Sequence, residues 1–289
     1  MSKKVILTGA NGGFGKLTVK NLLNNGHSVA ATMRNIEGKN AAIAKEFLNL
    51  GASVIDIDVT DDGSVEEGID KAISILGGLD VVVNNAGVGT IGMQENFTTA
   101  DFNKLFEVNV FGVQRINRAV IPHFRMQGKG LIIYTSSILG RAVLPFFGPY
   151  NASKAALESL AENYRVELSG FGIQNAIIEP GAFGTSFSSN LMQPSDNARM
   201  EFYQKLSETM GQMMEGFGKV MADNKEQNPQ RVADAIVGLI ESKKEEVPFR
   251  TVVDYMGMEN LIKGYNEQLE DVMKISFSNL QLQEMLVVK

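Results

Sequence analysis

The chain has 289 residues, 44% of them hydrophobic, which is enough to bury the core of one large α/β domain or two small ones. A net charge of −6 gives no electrostatic footprint for nucleic acid or an anionic membrane, and no window is apolar enough to span a bilayer. With no cysteine there are no disulfides, no thiol nucleophile and no thiolate metal site. The basic start is followed by only three apolar residues, Val5 to Leu7, too few for a signal segment, so the chain reads as a soluble cytoplasmic protein.

In chain order, short apolar runs alternate with longer amphipathic stretches. Strands are expected at Val5 to Thr8, Ser28 to Thr32, Ser53 to Ile57, Leu79 to Val83, Leu131 to Thr135 and Ile173 to Ile178, because each is short and most are rich in Val or Ile. Helices are expected over 14–25, 39–50, 62–76, 100–127 and 150–169. This alternation predicts an α/β fold with one doubly wound parallel sheet of about seven strands. Residues 182–228 then carry many Met and Phe residues among polar ones, a composition suited to a helical lid over a ligand or to plain helix packing. A helix from Pro229 to Ile240 and a strand near Val247 to Val252 follow. The domain is taken as 1–255 including the lid, with 256–289 as a helical C-terminal extension that is a candidate oligomer contact.

Two local patterns carry chemistry. Gly9, Ala10, Asn11, Gly12, Gly13, Phe14 and Gly15 lie between the first strand and the first helix, where glycines permit tight turning and let a pyrophosphate reach backbone amides. The second strand ends in Arg34 with no carboxylate, so NADP(H) is the preferred cofactor and NAD(H) the alternative; Arg34 is otherwise a solvated strand-end charge. Asp58 after the third strand is placed either at an adenine edge or as a cap of the next helix. The second pattern is Tyr150 and Lys154, four apart on one helical face, where an ammonium near a phenol favours the phenolate and tunes an acid/base.

With these patterns stand Asp58-Val59, Asn84-Asn85-Ala86-Gly87, Asn109, Ser136-Ser137, and Pro180-Gly181 with Thr185, in that order along the chain. The ordered set resembles the short-chain dehydrogenase/reductases over about residues 3–255, in a Rossmann-type fold, and the long C-terminal part is most similar to the hydroxysteroid and retinol dehydrogenase branch. The resemblance implies that Tyr150 is the general acid/base and that Lys154 lowers its pKa and contacts the nicotinamide ribose. It further implies that Ser137 bonds the substrate carbonyl and that Asn109 holds a water leading from Lys154 to solvent. Asn85, Ala86 and Gly87 are implied to border the cofactor with Val59, while Pro180, Gly181, Phe183 and Thr185 meet the nicotinamide. Leu144 and Phe187 join Ser137 and Tyr150 as substrate contacts.

The resulting expectation is an NADP(H)-dependent ketone reductase for bulky apolar substrates, with no nucleic-acid or membrane partner and a possible homo-oligomer. The alternative is a non-catalytic nucleotide sensor on the same fold. Serine hydrolysis fails because neither His27 nor His123 lies beside a nucleophile elbow, and two histidines without cysteine supply no zinc set, so no metal is expected.

Overall fold

The computed structural model describes residues 1–289. Strands β1 (Lys4–Leu7), β2 (Ser28–Met33), β3 (Ser53–Asp56), β4 (Val81–Asn84), β5 (Gly130–Thr135), β6 (Ile173–Pro180) and β7 (Arg250–Val253) form a single sheet. Their order is β3-β2-β1-β4-β5-β6-β7, and every neighbouring pair is parallel. The order reverses between β1 and β4, which opens a crevice at the carboxyl ends of the strands, the usual ligand position in such sheets.

Both sheet faces are covered, and period-2 side-chain alternation divides the apolar residues between them. Val5, Leu7, Val83, Ile133 and Ile178 pack in one cluster with Val19 and Leu22 of α1 (Gly13–Asn24) and with Val232, Ile236 and Ile240 of α8 (Gln230–Glu241). Ile6, Val82, Ile132 and Ile177 pack in the other with α3 (Asp62–Leu76), α5 (Gly112–Gln127) and α6 (Gly148–Leu168). The remaining helices are α2 (Ala41–Asn49), α4 (Thr99–Phe106), α7 (Gln204–Asp223) and α9 (Glu259–Asn279). No helix is long and apolar enough to cross a membrane.

Two elements differ from expectation, and a third bears on an alternative left open. The single helix expected over 100–127 is split by a wide turn at Glu107–Phe111, where the Gly112 amide reaches back five residues to the Glu107 carbonyl. Val59 presses on Gly112 there, and a Cβ at that position would lie 2.9 Å from its Cγ2; wide turns of this kind recur at functional sites. The strand expected at Val247 starts instead at Arg250, because Pro248 has no N–H to give a parallel ladder. In the stretch expected as a lid, α7 buries none of its residues, so its Met and Phe face is half-exposed rather than packed as core.

Candidate active site

Gly9 lies two residues past β1 with φ +64, and a Cβ there would lie 2.7 Å from the Ala86 backbone. The Asn84–Gly87 segment therefore closes onto the glycine turn, tied by Asn85 and Ala86 amides donating to the Thr8 hydroxyl at 3.0 and 3.1 Å. The Asn85 side chain adds bonds to the Thr8 and Gly9 carbonyls. Gly12 precedes α1 and no side chain caps this helix, so its first amides are left for an outside acceptor at the positive end of the helix dipole. A Cβ on Gly15 would overlap the Gly9 carbonyl oxygen. This is a turn that only glycines build, and its free donors suit a pyrophosphate.

Asn11 donates to Asn40, which donates to the Arg34 carbonyl at 2.7 Å, linking the glycine turn to the end of β2. Arg34 Nη1 lies 3.6 Å from Asp58, and the guanidinium is largely exposed. Asp58 is partly buried, which raises its pKa, but bonds from Thr60 and the nearby Arg34 outweigh this and hold it below the ordinary carboxylate range. The helix-capping alternative for Asp58 is not met: Asp61 caps α3 by accepting from the Ser64 amide, because it is the residue directly before the helix. The Val59 side chain lies against Gly112, and its carbonyl accepts from Arg115.

Ser137 follows β5 at the mouth of the crevice, accepts from the Leu139 amide at 3.1 Å and donates to the Pro180 carbonyl. Tyr150 and Lys154 are buried on one face of α6, with Lys154 Nζ 5.7 Å from the phenol ring centre. Burial drives the Tyr150 phenol up to about 12, against a smaller lowering by the Ser137 hydroxyl. The expected depression of that phenol by Lys154 is thus absent without cofactor: Nζ donates to the Thr135 carbonyl at 2.7 Å, and burial lowers its own pKa to about 8. Desolvation exceeds the charge–charge effect here. Asn109 sits in the wide turn, fully buried. Its Oδ1 accepts from the Val88 amide at 2.8 Å, and its Nδ2 donates to the Val88 carbonyl and the Ser153 hydroxyl. These bonds hold the segment after Gly87 against the helix of Tyr150.

The segment after β6 folds back over all of this. Phe183 is buried edge-on against Phe14 at 5.7 Å, a core contact, and a Cβ on Gly13 would overlap the Thr185 side chain, so Thr185 lies on the phosphate turn. Gly181 is pressed by Asp254, and its amide bonds Val253, fixing the exit from β6. Phe187 lies 5.6 Å from Tyr150 with the two rings tilted at 58°, and Met192 pairs with Gly89 and Ile91, closing the segment on the far side of the crevice. Leu144 is half-buried, its carbonyl accepting from Asn151 at the start of the Tyr150 helix.

Sequence reasoning missed Thr8, Thr135 and Ser153. Each acts by a hydroxyl or carbonyl that meets its partner only once the elements pack, at separations from 19 to 78 residues. It also missed Arg141 and Glu158, whose ion pair lies beneath the Ser137 turn.

The comparisons agree with this geometry. The family model described as short chain dehydrogenase matches residues 3–196. The uncharacterized oxidoreductase YusZ of Bacillus subtilis is 35% identical over 83% of this chain and 85% of its own. Retinol dehydrogenase 8 of Homo sapiens is 31% identical over 90% of this chain and 84% of its own. The crystal structure of a short-chain dehydrogenase from Streptomyces avermitilis superposes with a TM-score of 0.75 at 28% identity, covering 97% of this chain and 98% of that one. Structural neighbours include complexes with NADP and with NADH. A glycine turn opening α1, Tyr150 and Lys154 one helical turn apart, and a family match over two-thirds of the residues together make this chain an oxidoreductase of the short-chain dehydrogenase family.

Proposed function

We propose that the protein transfers a hydride between NADP(H) and a carbonyl or secondary alcohol, acting as a reductase of bulky apolar ketones. The observation that carries this reading is the Tyr150 phenol, buried at the mouth of the crevice with the Ser137 hydroxyl beside it and Lys154 on the same helical face.

The donors and the glycine-only turn fit a dinucleotide. Backbone groups of Gly9, Asn11, Gly12, Gly13, Phe14 and Gly15 would hold the pyrophosphate, Arg34 a 2′-phosphate, and Asp58 and Val59 the adenine side. Asn85, Ala86, Gly87, Tyr150 and Lys154 would border the nicotinamide ribose, and Pro180, Gly181, Phe183 and Thr185 the ring. The cofactor supplies the hydride. Ser137 orients the carbonyl oxygen with a hydrogen bond that strengthens as charge develops there, Tyr150 delivers the proton, and Lys154 offsets the negative charge left on the phenol. Phe187 lies beside Tyr150 and, with Leu144, would supply apolar walls for the substrate, in keeping with the retinol named for the human relative.

Tyr150→Phe deletes only the hydroxyl. Loss of a general acid lowers kcat about a hundredfold or more while NADPH binding is kept; near wild-type turnover of a responsive ketone would remove Tyr150 from the role. One observation favours a second reading, a nucleotide sensor: Phe187 covers Tyr150. NADPH binding without turnover across a ketone panel would establish it.

A further inference from the structure

Beneath the Ser137 turn lies a charge cluster that hydride transfer does not require. Arg141, four residues past Ser137, pairs with Glu158 at 2.6 Å and with Glu162 and Glu179 at 3.3 Å each. Arg250 of β7 reaches Glu158 at 3.1 Å, Glu179 at 3.7 Å and also Glu162. The Glu158 and Glu179 side chains are 1% and 0% exposed. The fifth element is α9, whose buried Asn266 donates from Nδ2 to Glu179 Oε2 and whose Glu270 takes a bidentate bond from Arg165.

The positions matter more than the charges. Glu158 is one helical turn beyond Lys154, Glu179 directly precedes Pro180, and Arg141 ends the turn that carries Ser137. A Cβ on Gly140 would lie 3.1 Å from Glu158 and 3.2 Å from the Lys154 carbonyl, so the turn rests on the Lys154 helix with no slack. We propose that α9 is part of the active-site scaffold: through Asn266 it closes this buried cluster, and Arg141 and Asn266 act as positioning residues that fix Ser137 and Lys154 against the end of β6.

Three carboxylates face two guanidiniums, and the Lys154 ammonium, one helical turn from Glu158, is the next nearest cation. Burial and the neighbouring Glu158 push Glu179 up to about 7, against the lowering by Asn266, Arg141 and Arg250. Asn266 is the only one of these partners supplied by the C-terminal helix, and it donates without adding charge. Removing either partner of a buried, hydrogen-bonded group leaves the other unsatisfied, and the strain falls on the segments that hold it.

The inference rests on the reading of Ser137, Tyr150 and Lys154 given above, and its test separates the two. In the full-length enzyme, Asn266→Asp places a fourth carboxylate against Glu179. It is expected to lower kcat about tenfold with KM for NADPH unchanged, and to speed amide hydrogen exchange over residues 137–141 in the cofactor-free protein. The swap Asn266→Asp with Glu179→Gln restores one amide facing one carboxylate, and is expected to recover most of kcat and the slow exchange. If Asn266→Asp does not fold, Asn266→Ser, which removes the bond without adding charge, carries the same readouts. A folded Asn266 variant with wild-type kcat and exchange overturns the proposal, as does a swap no better than the single variant. Tyr150→Phe run alongside distinguishes the failures. An active Tyr150→Phe counts against hydride transfer as read here, and an inactive one beside unaffected Asn266 variants counts against the scaffold role alone.

Discussion

Arg34→Ala separates cofactor choice from folding. The guanidinium is 68% exposed, and Asp58 is 3.6 Å from Nη1. Exposed pairs of this kind are worth about 0–1 kcal/mol, since water screens the attraction and ordering two side chains opposes it. The melting temperature should therefore move little. A charge-assisted bond from Arg34 to a 2′-phosphate is worth about 1.5–3 kcal/mol, which predicts a loss of roughly ten- to a hundredfold in kcat/KM with NADPH. NADH has no phosphate at that position, so its kcat/KM should stay within about threefold of wild type, the scale of an altered surface charge. The assay is initial-rate kinetics with both cofactors at fixed ketone, beside thermal melts. Equal losses for the two cofactors, or an unchanged NADPH value, would refute the assignment of Arg34 to the phosphate.

Gly15→Ala puts a methyl group into the Gly9 carbonyl; overpacking of this kind costs about 1–3 kcal/mol, read as a lower melting temperature together with weaker NADPH binding by fluorescence titration. Phe187→Ala removes the ring over Tyr150 and should raise KM for large apolar ketones more than for small ones, by up to about 2 kcal/mol for a lost aromatic contact; equal effects on both would argue against a substrate wall. Lys154→Met should abolish turnover. The buried ammonium titrates near 8 in the folded state against an ordinary 10.5, so wild-type stability is fully present above 10.5 and lost as pH falls through 8. That change between pH 8 and 10.5 should be missing from chemical denaturation of the Met variant.

The sheet was legible because parallel strands buried on both faces leave continuous Val and Ile runs, and the glycine turn because its place between strand and helix is local. Tyr150 and Lys154 were legible as a helical pair. The partner of Lys154 was not, since the Thr135 carbonyl is brought beside it only when β5 and α6 pack. The wide turn at Asn109 packs where Val59 lies against Gly112, a contact across fifty-odd residues that leaves no mark on helical periodicity. Likewise Arg141, Glu158, Glu179 and Arg250 each look like an ordinary surface charge in the sequence, and only the fold turns all four inward.

Thr185 on Gly13 and Phe187 on Tyr150 stand two residues apart on one backbone. A ligand that lifts Thr185 from the phosphate turn moves the chain that carries Phe187, and one that displaces Phe187 pulls on Thr185. Occupancy at the two ends of the crevice is therefore coupled through this short tether, and the coupling is reciprocal in affinity.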